Sequence, residues 1–267
     1  MIRLAFRAPA EAAEQVLAAL LELAPGGVEQ VDGEGFVEYA LYGAPGELPS
    51  FPAGEASVGG AVVQVSGEPV ADDWSERWKQ FHEPVLVADR VYVRPPWASR
   101  RPDVLDLVID PGQAFGTGAH ATTRMSLELL LELDPEGSFA DLGCGSGVLA
   151  IAAARLGFKP VTALDNEPAA LAATWANATA NGVELDAIER LDVRTESPPP
   201  ADTLAANLTR PLLLSVAARL TDPPRAAILS GLLEEEAGEV AAAFRPLQER
   251  RRLSSQGWSA LLLDTRL

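Results

Sequence analysis

Residues 139–154, FADLGCGSGVLAIAAA, place three glycines in five positions, Gly143, Gly145 and Gly147, between a short apolar run and an alanine-rich helix former. The stretch predicts a strand ending at Asp141, a tight turn, and a helix from about Val148. Glycine lets the backbone turn sharply and lets a ligand approach the main chain, while the first amides of a helix are free donors. Three cofactor classes compete for such a turn. A phosphate-cradling loop needs GxxxxGK[ST], and no lysine stands here. A dinucleotide fingerprint needs GxGxxG, but Val148 occupies the third glycine position. The pattern is DxGxGxG, with Asp141 two residues before the first glycine. A carboxylate there opposes a pyrophosphate and suits a ligand that carries positive charge. Of the common nucleoside cofactors, S-adenosylmethionine fits best, because it has no phosphate and carries both a sulfonium and an ammonium.

The following run, PVTALD at 160–165, reads as a short strand ending in Asp165, 18 residues beyond Gly147. An acid at that place accepts both ribose hydroxyls of a nucleoside. The competing reading is that Asp165 caps the next helix, whose first turn holds Asn166, Glu167 and Pro168, although Asn166 offers an equally good cap.

Around this motif the chain alternates. From about residue 104 it reads LDLVIDP as a strand, TTRMSLELLLEL as a helix, then FADLG, VLAIAAARLG, VTALD, a long alanine-rich helix, LDV, TLAANL, a helix from Pro211 and AAILSGL. Such alternation predicts a doubly wound α/β domain with a mostly parallel, Rossmann-like sheet and ligands at the carboxyl ends of its strands. The end of the chain predicts an antiparallel hairpin turning near Ser254–Gly257. Residues 1–68 differ: strand, helix, two strands around Gly33–Gly35, a Pro/Gly-rich loop and the strand AVVQVSG predict a small ferredoxin-like α+β domain with its second helix shortened or missing. Residues 69–95 form a Trp/Pro-rich connector, in which Trp74, Trp78 and Phe81 fall at the spacing of an amphipathic helix, and residues 96–267 form the cofactor domain.

Composition limits what else the chain does. Its 267 residues, 48% hydrophobic and 22% charged, are ordinary for a globular protein, and no apolar run reaches membrane-spanning length. The N-terminus lacks the layout of a signal peptide. One cysteine, Cys144, excludes an internal disulfide and fits a reducing compartment, so a cytoplasmic location is expected. Between two loop glycines, Cys144 reads as a small filler rather than a nucleophile. Two histidines are too few for a His/Cys metal site. A net charge of −17 argues against direct nucleic-acid binding and favours a basic partner. The one basic run, Arg250–Arg252, reads as a solvated strand edge.

Two more stretches fall where the sheet would place a ligand. One is DPGQAFGTGAHATTR, residues 110–124, rich in glycine and ending in Thr122 and Thr123, natural helix caps. The other is LAANLTRP, residues 204–211, in which Asn207 offers a donor and an acceptor at the end of the fourth parallel strand. The order of DDWSERWKQFHEPV with VRPPW, PGQAFGTGAHATT, DLGCGSGVLAIAA, LDNEPAAL and AANL resembles the bacterial ribosomal protein L11 methyltransferases, mostly over residues 70–210. The FGTGxHxTT stretch is specific to that family, whereas the glycine loop marks only the class I methyltransferase superfamily with its seven-stranded domain. The resemblance implies S-adenosylmethionine contacts at Thr123, Gly143, Asp165 and Asn207, and a small first domain that recognises a basic ribosomal protein of the large subunit. We also expect Asp141, Gly145, Phe115, Gly116 and Thr117 at the cofactor, Asn207 and His120 in catalysis, no metal, no membrane contact and a monomer. His120 is the histidine candidate for a proton acceptor, and a hydrogen bond that orders its loop is the competing role. The expected reaction is methyl transfer to amino groups, lysine side chains or the N-terminal amine, of that ribosomal protein. Methylation of another nitrogen, on another protein, nucleic acid or small molecule, is the alternative within enzymes, although the NPPY of many amide and base methyltransferases is absent because Leu208 and Thr209 follow Asn207. A cofactor-binding module without catalysis is the alternative outside them.

Overall fold

The computed structural model describes residues 2–23, 29–33, 35–43, 51, 54–69, 82–111, 118 and 120–265. They divide into two compact units, Met1–Phe81 and His82–Leu267. The helix expected around Trp74, Trp78 and Phe81 lies outside the described residues. Among the described residues no helix is long and apolar enough to cross a membrane, and no cluster of three or more His, Cys, Asp or Glu is placed to hold a metal ion.

The first unit is one antiparallel sheet with a helix. Its elements are β1 (Ile2–Pro9), α1 (Ala13–Leu23), β2 (Glu29–Gly33), β3 (Phe36–Gly43), β4 (Gly54–Val58) and β5 (Ala61–Pro69), in sheet order β2-β3-β1-β5-β4. Alternation along β1 decides its two faces. Leu4, Phe6 and Ala8 pack with Val16 and Leu20 of α1, while Arg3 and Arg7 both pair with Glu38 of β3, at 2.7 and 2.9 Å. Each fully buried Phe or Leu in that layer contributes about 1.5–3 kcal/mol of burial. Placing β1 between β3 and β5 is the ferredoxin-like strand order, with β4 added at the sheet edge beside β5. The Pro/Gly-rich stretch read as loop therefore contains a strand. GEASV is short and half polar, as an edge strand closed by a two-residue turn can be, and Gly59 and Gly60 make that turn at positive φ.

The second unit opens with a three-stranded sheet, β6 (Val85–Val87), β7 (Val91–Arg94) and β8 (Leu105–Val108). LDLV, read as the head of the large sheet, belongs here and runs parallel to β7. The two strands are joined by a buried fork: Arg94 Nε and Nη2 donate to the two oxygens of Asp106 at 2.8 and 3.0 Å, and Nη1 donates to the carbonyl of Ala98 at 2.8 Å. Burial alone would raise the Asp106 carboxyl, but the Arg94 guanidinium holds it below the usual range.

The large sheet has seven strands, in the order β11-β10-β9-β12-β13-β15-β14. These are β9 (Phe139–Leu142), β10 (Val161–Asp165), β11 (Ala187–Arg190), β12 (Thr203–Asn207), β13 (Ala226–Leu233), β14 (Gln248–Ser255) and β15 (Trp258–Asp264). All neighbours from β11 to β13 are parallel, and β15 is antiparallel to both β13 and β14. The helices are α2 (Ala121–Leu130), α3 (Val148–Leu156), α4 (Pro168–Ala180), α5 (Arg210–Arg219) and α6 (Ala237–Ala243). Strand alternation sorts them into two layers: Ala205 of β12 packs with residues of α2 and α3, while its neighbours Leu204 and Ala206 pack with α5 and α6. The domain is doubly wound, as the alternation predicts, and has the seven strands that the resemblance implies.

Several details differ from the sequence reading. The third parallel strand is Ala187–Arg190, not LDV at 191–193; Val193 lies just beyond it and packs into the core. An edge strand bonded on one side needs little apolar content, so AIER gives a weak signal. Helix α6 was not anticipated. Arg250, Arg251 and Arg252 do lie on the exposed edge strand β14, each paired with an acid: Asp264 at 3.4 Å, Glu132 at 2.8 Å and Glu249 at 2.6 Å.

Candidate active site

Strand register assembles the site. Leu142 pairs with Leu164 on one side and Ala206 on the other, so Gly143, Asp165 and Asn207 stand side by side at the carboxyl ends of three adjacent strands. The chain runs from β9 outward to β10 and β11, then returns to place β12 on the opposite side of β9. That reversal is a topological switch point, where doubly wound sheets bind ligands.

The glycine loop between β9 and α3 takes the left-handed conformation at Gly143, Gly145 and Gly147, with φ of 70°, 54° and 78°. A side chain there would be strained, and a Cβ on Gly143 would collide with the Leu208 side chain. The amides of Gly143 and Cys144 both donate to Leu164 O, at 2.8 and 3.0 Å. Asp165 holds the loop from the next strand: Oδ2 accepts from Gly145 N and Oδ1 from Glu167 N, both at 3.0 Å. Asn166, the other cap candidate, instead accepts from Arg190 Nη2 at 2.8 Å, and Glu167 is the residue before the first turn of α4. Asp141 is 1% exposed beneath the loop, and its Oδ2 accepts from Ala150 N at 3.1 Å. Burial pushes its carboxyl up to about 7, against the pull of that amide, with the Asp165 charge adding to the rise. Cys144 is buried, its thiol 3.3 Å from Thr174 Oγ1 and pushed up by burial, consistent with a filler and not a nucleophile.

The opposite wall comes from α2 and the ends of β12 and β13. Asn207 Nδ2 donates to Thr123 Oγ1 at 3.5 Å, which joins two residues 84 positions apart in sequence. Thr122 and Thr123 are not caps; they lie in the first turn of α2, and His120 is its N-cap. The His120 Nδ1 accepts from Thr122 N at 3.3 Å and lies 2.7 Å from Thr122 Oγ1. Its ring meets Trp258 edge-on at 5.2 Å, and burial lowers its pKa with help from Arg124. Ser230, fully buried, donates to Thr122 O at 3.3 Å, and its carbonyl accepts from Leu208 N at 2.9 Å. The neighbouring Gly231 breaks the β13 register with φ of 85°, and a Cβ there would press on the Leu208 backbone.

The floor and both walls thus offer acids, amides and hydroxyls, with no lysine in the glycine loop. That donor set fits a cationic nucleoside and not a phosphate. A family model described as ribosomal protein L11 methyltransferase (PrmA) matches residues 54–266.

The chain belongs to this family.

A ribosomal protein L11 methyltransferase of Heliobacterium modesticaldum is 38% identical over 200 residues, 72% of this chain and 63% of that protein. One from Pseudomonas aeruginosa is 40% identical over 195 residues, 70% of this chain and 65% of that protein. These matches span less than two thirds of the relatives' own length. The crystal structure of ribosomal protein L11 methylase from Lactobacillus delbrueckii subsp. bulgaricus shares the fold, with a TM-score of 0.62 at 24% identity, covering 70% of this chain and 100% of that one.

For a member of the L11 methyltransferase family, three of the expected site residues, Phe115, Gly116 and Thr117, lie outside the described residues. Thr123, Gly143, Gly145, Asp165 and Asn207 are brought together, with Asp141 beneath them and His120 at the start of α2. Sequence reasoning missed Ser230 and Gly231, which clamp Leu208, and Asn177 of α4. The signals were present: a glycine inside a strand marks a bulge, and asparagine at 177 is a poor residue for the interior of an alanine-rich helix.

Proposed function

We propose that the chain is an S-adenosylmethionine-dependent methyltransferase that modifies amino groups, lysine side chains or an N-terminal amine, of a basic large-subunit ribosomal protein in the cytoplasm. The observation that carries this is the row Gly143, Asp165 and Asn207 at the switch point, flanked by acids and free of phosphate-binding lysine. When bound, S-adenosylmethionine supplies an electrophilic methyl group on its sulfonium.

The residues do the rest by position. Each Asp165 oxygen already accepts one amide, and a carboxylate has about four acceptor sites, so capacity for two ribose hydroxyls remains. The left-handed glycines would let the amino-acid part of the ligand approach the loop backbone closely. Asn207 presents an amide carbonyl to the attacking amine, and the hydroxyl of Thr123 steadies it. An amine must be neutral to attack: for a lysine at pH 7 deprotonation costs about 4.6 kcal/mol, against roughly 1 kcal/mol for an N-terminal amine. A site that strips water from the ammonium lowers that cost, because burial favours the uncharged form. In-line displacement otherwise asks mainly for alignment of donor and acceptor. The net charge of −17 supports a basic protein as substrate over a nucleic acid. In this reading residues 1–68 choose the substrate, since every cofactor motif follows residue 110.

Incubating the chain with S-adenosylmethionine and a purified L11-type ribosomal protein, then recording its intact and fragment mass spectra, tests the proposal. Whole methyl increments on lysines or the N-terminal residue are expected. Cofactor binding without any transfer to that protein would reject the substrate, and absence of cofactor binding would reject the whole reading.

A further inference from the structure

We propose that Asn177 is a positioning residue for the cofactor cradle, tying the glycine loop to the start of the 110–119 segment; this rests on the cofactor assignment above.

Helix α4 and its C-cap carry a polar stripe, Thr174, Asn177 and the capping Asn181, spaced three and four residues apart and therefore on one face. At its lower end Asn181 acts as a substitute strand for the free edge of β8. Its Oδ1 accepts from Val108 N at 2.8 Å, and its Nδ2 donates to Val108 O at 2.7 Å. At its upper end Thr174 Oγ1 donates to Gly145 O at 3.0 Å. Asn177 lies between them and does both tasks at once. Its Oδ1 accepts from Asp110 N and its Nδ2 donates to Ser146 O, each at 2.9 Å, with 3% of the residue exposed.

Those two partners are backbone groups of different segments. Ser146 lies inside the three-glycine loop, whose left-handed residues have little conformational preference of their own and need outside contacts to hold one shape. Asp110 is where the chain leaves β8 toward the 112–117 stretch and then His120. One buried amide therefore sets the separation between the glycine loop at Ser146 and the chain leaving β8 at Asp110. A buried amide group cannot lose a partner without leaving another polar group unsatisfied, so the two segments are fixed together or not at all. The Asn181 side chain, by contrast, bonds among the described residues to β8 and to the helix itself, and not to the glycine loop.

The contrast between the two asparagines gives the test. Affinities for S-adenosylmethionine and S-adenosylhomocysteine are measured by calorimetry on the full-length parent, Asn177→Ala, Asn177→Leu and Asn181→Ala, with melting temperatures beside them. Leucine keeps the buried volume while removing both hydrogen-bonding groups, which protects the fold if alanine does not. Both Asn177 variants should bind each ligand roughly tenfold more weakly or worse, since small misplacements of ligand-holding groups cost at least that much. Asn181→Ala should lower the melting temperature while its affinities stay within about twofold of the parent. A folded Asn177 variant with parental affinity overturns the proposal, and so does an Asn181→Ala variant that loses affinity as much as the Asn177 variants. If the parent itself binds neither ligand, the cofactor assignment has failed instead.

Discussion

The carboxylate of Asp165 accepts the amide hydrogen of Gly145 at 3.0 Å, across 20 residues of sequence and one strand of the sheet. The acid proposed to meet the ribose thus also shapes the loop proposed to meet the rest of the ligand. Asp165→Ala removes this bond and the one from Glu167 N, each worth about 1 kcal/mol. Cofactor affinity measured by calorimetry should fall by more than about tenfold, with a melting temperature only a few degrees lower, on the order expected for ~2 kcal/mol. A variant with parental affinity would remove Asp165 from the site.

Asp141 makes stability depend on pH. Its folded-state pKa of about 7 lies above the ordinary 3.8, so its contribution is fully present below pH 3.8 and is lost as pH rises through 7. The loss amounts to roughly 4 kcal/mol over that window. Asp141→Asn keeps an acceptor for Ala150 N but has no charge to bury. Thermal melts should show the variant gaining on the parent between pH 5 and pH 8, while cofactor affinity, which profits from the negative charge, drops most at pH 8. Parallel stability profiles for the two proteins would show that Asp141 stays protonated or solvated throughout.

The site was legible where chemistry depends on local spacing. Three glycines after Asp141, and Asp165 at the end of the next apolar run, are read within a single βαβ unit. What escaped was set by tertiary contacts. The polar stripe on α4 looks like three weak helix formers until β8 and the glycine loop lie against it. The strand at Ala187–Arg190 has one neighbour and few apolar residues, so the more apolar LDV just beyond it drew the assignment. LDLV reads as a strand correctly, but nothing local says which of two sheets it joins. Thr122 and Thr123 look like caps because threonine caps well, but His120 holds that place, with its ring against Trp258 of the last strand.

His120 separates two roles by substitution. If its ring serves to cap α2, asparagine should serve nearly as well, whereas alanine should cost about 1 kcal/mol of stability. His120→Asn is therefore expected to keep kcat within a few-fold of the parent, with an unchanged pH profile. A large loss of kcat in His120→Asn, together with loss of a titration below the ordinary histidine range, would support the proton-acceptor role.

Gly231 has no room for a side chain, since a Cβ would stand 2.8 and 3.0 Å from Leu208 C and N in addition to its collision with the carbonyl oxygen. Backbone cannot rotate away as a side-chain tip does. Gly231→Ala should displace Leu208 and with it Asn207, lowering kcat more than cofactor affinity, and should cost about 1–3 kcal/mol of stability. Equal losses in both quantities would place the effect in the cofactor pocket and not at the acceptor side.

The buried fork between Arg94 and Asp106 bears on how this chain drifts over generations. Removing Asp106 strands the Arg94 charge inside the protein, at a cost of about 3–5 kcal/mol, while replacing both by well-packed apolar residues is often neutral or better. A domain with 5–15 kcal/mol in hand seldom survives the intermediate. The pair is consequently held by a valley between two acceptable states: descendants inherit both residues or exchange both, and a lineage that has lost only one should be found beside a compensating change nearby.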